Sequence, residues 1–169
     1  MGVNITLRSH PFTLIAALIL QMTYLRTSLV SHAAKYAIAV AENLTYKVAL
    51  DQVAVVTFTD KSGTIIEVND YFCKLSGYKR CELIGQNHRI LKSGHHPIEF
   101  YKDIWKTLSS GMIWRGEICN VNKNGELYWV DSSLVPCFDA DKKIEKYCSI
   151  RFDITKRKLA EIQMLYRIA

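Results

Sequence analysis

Between Gly85 and Gly125 the chain gathers side chains that could hold a planar, polar ligand. Gly85-Gln86-Asn87-His88-Arg89 supplies amide, imidazole and guanidinium groups, and Trp105 and Trp114 supply flat apolar faces. Asn120 shares a strand face with Trp114, Gly116 and Ile118 if the segment is extended, because side chains alternate with period two. An amide buried there must find partners, and its carbonyl and NH2 match the donors and acceptors on the edge of a heteroaromatic ring. Gly116 would let such a ring approach the sheet, and the tryptophans would stack on it or wall it in. Each residue has a plainer alternative: Asn120 bonded to backbone beside a turn, Gly116 at a strand bulge, the tryptophans as core, and Arg89 as a solvated charge.

Other chemistries are less well served. His88, His95 and His96 invite a metal, but adjacent His95-His96 before Pro97 cannot easily both face one ion, and no thiolate or carboxylate follows at ligand spacing. The expectation is no metal site. Haem needs only one axial histidine and stays open as an alternative. No nucleophile motif, phosphate-cradling glycine loop or paired-carboxylate arrangement is present, so no catalytic residues are assigned and an enzyme is not expected. Five cysteines without a Cys-x-x-Cys pair write neither a disulfide framework nor a structural zinc site, which suits a reducing, cytoplasmic setting. The net charge of +6 is scattered, with one compact cluster at Lys156-Arg157-Lys158, and nucleic-acid binding is not expected.

The elements that must position these residues follow from period and punctuation. Phe12 to Leu20 is almost wholly apolar between Arg8 and Arg26, but it falls short of the roughly 20 residues that a spanning helix needs. Residues 11–25 are therefore either a membrane-associated segment or a helix packed on protein. From Ser31 to Leu50, apolar residues at three- and four-residue steps predict a helix. Val53 to Thr59 and Thr64 to Val68 read as a hairpin turned at Asp60-Lys61-Ser62-Gly63. Asn69 and Asp70 start a short helix that Gly77 stops. A second runs from about Arg80 to Ile84. Pro97 to Leu108 is the clearest helix, with Ile98, Tyr101, Ile104, Trp105 and Leu108 on one face. Strands at 113–122, 127–138 and 144–152 follow, the first two joined across Asn124-Gly125, a strong hairpin signal. A charged helix begins at Thr155. The whole is an α+β plan, an antiparallel five-stranded sheet with helices on one face and flanking helices at both ends.

That order, with Val68-Asn69-Asp70, Leu75-Ser76-Gly77-Tyr78, Glu82-Leu83-Ile84-Gly85, Lys123-Asn124-Gly125 and Asp153-Ile154-Thr155, resembles a PAS domain over roughly Ala49 to Thr155. The organisation expected is an N-terminal helical extension over 1–48, a PAS sensor domain over 49–155 and the start of a signalling helix over 156–169. The likeness is greatest to the FAD-holding PAS domains of bacterial aerotaxis transducers and related redox sensors, through Gly85-Gln86-Asn87-His88, Asp103-Ile104-Trp105, Trp114-Arg115-Gly116 and Tyr128-Trp129-Val130. What the resemblance implies is signal transduction by a flavoprotein that senses redox state or oxygen. A haem or small-ligand sensor and a cofactor-free dimerisation module are the alternatives. Asn69, His88, Arg89, Trp105, Trp114, Gly116, Asn120 and Arg151 are the candidate cofactor-binding residues.

In the blue-light flavin branch of the same superfamily, a cysteine forms the light-driven bond to the flavin where this chain has His88. An imidazole cannot replace a thiol in that chemistry. Two further flavin contacts of that branch correspond here to Val130 and Arg151 in place of an amide. Arg151, four residues before the exit helix, becomes a candidate relay. Alternation that turns Asn120 and Arg151 toward a pocket sends Trp129, Val135, Cys148, Ile150 and Phe152 to the other face, which is too apolar to leave in water. The expected cover is the N-terminal helix, within the chain or across a homodimer, with a downstream signalling domain or protein as the further partner.

Overall fold

The computed structural model describes residues 11–168, with side chains described from 18 to 165. Arg8 and the chain's first ten residues lie outside that range. The described residues divide into two units, one ending at Tyr46 and one beginning at Lys47.

The first unit holds most of α1, one helix running from Pro11 to Val53. The apolar run near the N-terminus and the stripe from Ser31 are thus parts of one element. No helix among the described residues is long and apolar enough to cross a membrane. The helix is apolar around much of its girth, and from Leu18 to Ala49 every side chain but the half-buried Ser28 is exposed.

The second unit carries the sheet. Its strands are β1 (Val55–Thr59), β2 (Ile65–Val68), β3 (Trp114–Val121), β4 (Leu127–Phe138) and β5 (Ile144–Asp153), in the order β2-β1-β5-β4-β3 with every pair antiparallel. β1 starts two residues later than its β-rich sequence suggests. Val53 closes α1, and Ala54 N–H donates to the Leu50 carbonyl as in a continuing helix. Three hairpin turns share one device. Asp60, Asn122 and Asp139 each accept, through a side-chain oxygen, the backbone N–H groups two and four residues ahead. The β3–β4 connection is therefore a five-residue turn organised by Asn122, with Asn124-Gly125 inside it.

Short helices α2 (Asp70–Ser76) and α3 (Arg80–Leu83), a 3₁₀ turn over His88–Leu91 and the longer α4 (Ile98–Ser109) fill the connection from β2 to β3. Gly77 at the end of α2 has φ 73°, the left-handed conformation that terminates helices. Beneath α2 and α3, Val55, Ile65, Val68, Phe72, Leu83 and Leu91 make one apolar cluster, and beneath α4 a second forms from Ile104, Leu108, Trp114, Ile118, Tyr128, Val130, Leu134 and Tyr147. The closing helix α5 (Thr155–Ile168) is started by Asp153, whose carboxylate accepts the Thr155 N–H and hydroxyl.

Candidate functional site

Beneath α4 the inner face of the sheet is not filled. A cavity of about 610 Å³ lies there, within the size range of small-molecule sites. Ile118 and Asn120 of β3, Leu134 of β4 and Tyr147, Ser149 and Arg151 of β5 form its floor. Asn87, His88, Arg89 and Lys92 form one side, and Tyr101, Ile104, Trp105 and Leu108 of α4 form the roof. Alternation along each strand brings the floor residues to one face, while the apolar stripe of α4 faces down on them. Only Ile104 and Leu108 of that stripe are fully buried. Trp105 remains 41% exposed because its neighbour is the cavity.

The floor is polar where a closed core would be apolar. Arg151 is 6% exposed and Asn120 7%. Arg151 Nη1 lies 2.9 Å from His88 Nε2, and since a guanidinium has only donors, His88 accepts and is neutral. Burial, and then the Arg151 charge, hold the His88 imidazole well below the ordinary histidine range. Burial also brings the Arg151 guanidinium down to about 10, which leaves it charged at neutral pH. Among the described residues Arg151 Nε has no partner, and neither do the buried hydroxyls of Ser149, its register partner Thr57, and Ser132, the register partner of Arg151. Buried polar groups are rarely left so, and each unpaired one calls for a cause. At the mouth, Arg89, Lys92 and Lys102 are exposed cations. Arg89 is steadied by donation from Nε to Asn87 Oδ1 at 2.8 Å, and Lys92 lies 4.3 Å over the Tyr101 ring.

Of the eight residues singled out from sequence, His88, Arg89, Trp105, Asn120 and Arg151 line this cavity. The other three stand apart from it. Asn69 caps α2: its side-chain oxygen accepts from Phe72 N–H and Val56 N–H, and its NH2 donates to Asp51 and the Ala54 carbonyl, so it has nothing left for a ligand. Trp114 is core, with its indole N–H donating to Asp103 at 3.2 Å. Gly116 makes room for that indole and not for a ligand, since a Cβ there would lie 2.6 Å from the Trp114 ring.

Sequence reasoning did not single out Ser149, which lines the cavity, or the buried polar residues Thr57, Ser132 and Tyr128 on the same sheet; Tyr128 is the register partner of Asn120, and burial pushes its hydroxyl above the ordinary tyrosine range. Serines and threonines alternating with apolar residues on adjacent strands were the available signal. Gly63, a turn residue by sequence, has φ 82° and also admits the Trp105 ring, which a Cβ would meet at 3.0 Å.

The outer face carries Trp129, Val135, Cys148, Ile150 and Phe152. Trp129 is covered in part by His95, with ring centroids 4.8 Å apart, and by Lys158 of α5, 5.1 Å above the ring. Val135, Cys148 and Ile150 are half-buried and Phe152 is 46% exposed.

Comparison with known proteins places this geometry. The chain is 36% identical to the aerotaxis receptor of Escherichia coli over 117 residues, 69% of this chain and 23% of that one. It is 35% identical to a nitrogen fixation regulatory protein of Klebsiella oxytoca over 100 residues, 59% of this chain and 20% of that one. It therefore spans between a fifth and a quarter of the length of these relatives. Among solved structures, an RNA-binding light-oxygen-voltage receptor superposes with a TM-score of 0.65 at 22% identity, over 77% of this chain and 37% of the other, which is a likeness of fold. The model of the PAS domain matches residues 52–156, well over half of the chain. With the five-stranded antiparallel sheet and the helices beneath which the cavity lies, this shows that the chain belongs to the PAS domain family of sensory signalling modules.

Proposed function

We propose that the cavity binds a flavin, FAD, and that the chain senses redox state or oxygen through it. The observation that carries this reading is the polar floor, where unpaired buried donors and acceptors on Arg151 and Ser149 lie beside Asn120 in a cavity otherwise walled by apolar and aromatic side chains. Those groups fit the polar edge of an isoalloxazine ring, Trp105 and the apolar roof fit its faces, and Arg89, Lys92 and Lys102 at the mouth fit phosphate oxygens. The kinship with an aerotaxis receptor and a nitrogen fixation regulator supports a redox or oxygen signal. A bound flavin supplies reversible electron transfer near neutral pH. The chain's part is to hold Arg151 charged and His88 unprotonated at Nε2 on the cavity floor. Because His88 Nε2 is engaged by Arg151, flavin fits this floor better than a haem that uses His88 as its axial ligand.

The route out of the site is short. Arg151 lies two residues before Asp153, which caps α5 through Thr155, and the Thr155 hydroxyl accepts the N–H of Trp129 at 3.0 Å. A change in what Arg151 pairs with shifts the end of β5, and with it the start of the exit helix that leads to a downstream signalling domain. The half-buried outer face of the sheet and the exposed apolar residues of α1 fit a homodimer in which α1 takes part. Deleting residues 1–48 should abolish the dimer or cause aggregation, and a soluble monomer of unchanged stability would count against it.

The cofactor assignment is tested on purified protein. The near-ultraviolet and blue absorption bands of oxidised flavin are expected, and a Soret band or a featureless spectrum would overturn it. Asn120→Ala should lower flavin affinity by about 1 to 3 kcal/mol while the domain stays folded, because it removes one buried polar partner. Unchanged occupancy would exclude Asn120 from the binding set.

A further inference from the structure

The segment from Lys92 to His96, between the 3₁₀ turn and α4, is fastened to β3 at two neighbouring residues. On the cavity side Lys92 forms an antiparallel bridge with Asn120. At the next residue back, the Ser93 hydroxyl donates to the Cys119 carbonyl at 2.6 Å, and the Cys119 N–H donates to His96 Nε2 at 2.8 Å. β3 is an edge strand, so these side chains stand where a sixth strand would otherwise pair. Cys119 is fully buried, and a lost bond there leaves a backbone donor with neither protein nor water.

A backbone N–H can only donate. His96 must therefore present a lone pair at Nε2, which requires the neutral ring with its proton on Nδ1. Protonation sets two donors against each other. The groups around the ring do not favour a charge. His95 lies edge-on at 4.9 Å, Phe100 of α4 stacks at 4.0 Å, Tyr101 stands edge-on at 6.3 Å and the Cys119 thiol belongs to the strand itself. Trp129 of β4 lies at 5.9 Å and carries Lys158 of α5 above it, while Lys92 sits over Tyr101. Lys158 is itself paired with Glu117 of β3 and Glu161 of α5, so these carboxylates reach the cluster through Lys158. Burial, and then the His95 charge, hold His96 below the ordinary histidine range.

The same short segment touches both ends of the proposed signalling path. Lys92 lines the cavity beside Asn120, and His95 rests on Trp129, the residue on which Lys158 and the Thr155 cap of α5 also converge. We infer that His96 is a proton-sensitive latch: neutral, it locks this segment to the edge of β3, and protonated, it releases the cavity wall and the footing of α5 together. The inference does not depend on which ligand fills the cavity.

The test is amide hydrogen exchange by NMR on the full chain at about pH 8 and in steps down to about pH 4, well under the ordinary histidine value because His96 is held below it. The protection factor of the Cys119 amide, corrected for intrinsic exchange, should fall about tenfold at the lower pH, the scale of one lost hydrogen bond. The indole N–H resonance of Trp129 should move with the same midpoint. His96→Gln, whose amide oxygen accepts without titrating, should keep the Cys119 amide protected at both pH values. His96→Phe, which keeps the stack on Phe100, should leave it unprotected at both. Wild-type protection that does not change with pH overturns the latch, and so does an equal fall in His96→Gln. If His96→Phe does not fold, the wild-type and His96→Gln pair decides the matter.

Discussion

Under α2 and α3 the inner face of the sheet meets Phe72, Leu83 and Leu91 and closes into an apolar cluster, whereas under α4 the same face carries Ser149, Arg151 and Asn120 and leaves room for a ligand. Strand alternation is identical in both halves. Side-chain volume and polarity make the difference. In the closed half, large apolar groups from two short helices reach the strands and exclude water. In the open half, short hydroxyls leave depth, and α4 meets the sheet fully only at Ile104 and Leu108. One half therefore carries folding stability and the other forgoes some of it for a site.

The comparison can be broken from either side. Phe72→Ala should have the largest effect, about 3 to 5 kcal/mol off the unfolding free energy in urea titration, because the closed half has no slack to refill the space. A loss below about 1 kcal/mol would mean that the two halves do not differ in packing.

Arg151→Met should act the other way. It removes a buried charge whose hydrogen-bond partner among the described residues is a neutral imidazole, so stability without ligand should change by less than about 1 kcal/mol or rise. Ligand affinity should fall by about 1.5 to 3 kcal/mol, the range for a hydrogen bond to a charged group. Calorimetric unfolding and flavin titration separate the two, and a large loss of stability with binding intact would contradict the division of labour.

The smallest effect is a pH slope. His88 is held neutral, so its folded pKa lies below its unfolded value and the unfolded chain binds the extra proton. Its contribution to stability is complete above about pH 6.5, the ordinary histidine value, and erodes as pH falls through that point toward the depressed folded value. Replacing it in His88→Gln should flatten that part of the stability curve. Parallel curves for the two proteins would show that His88 is not held neutral by its surroundings.

The local elements needed little beyond the sequence. Period and turn chemistry give five strands, the short helices and α4 to within a residue or two, and alternation along β3 and β5 turns Asn120 and Arg151 to the face with the cavity. These features are legible because each depends on neighbours a few residues away. Where the reading departs from the structure, what packs around a residue decided the outcome, in some cases close by and in others far along the chain. The β-rich Val53 ends a helix because α1 is continuous to that point. Asn69, a helix starter by sequence, spends its amide on Asp51, Ala54 and Val56 as well as on α2. Gly116 serves the indole of Trp114, two residues away, and not a ligand. The pairing of His88 with Arg151 spans 63 residues and that of His96 with Cys119 spans 23. Spacing along the chain specifies which face a side chain takes, but whether it meets a partner, a void or a ligand depends on what packing brings opposite it, and only the tertiary structure determines that.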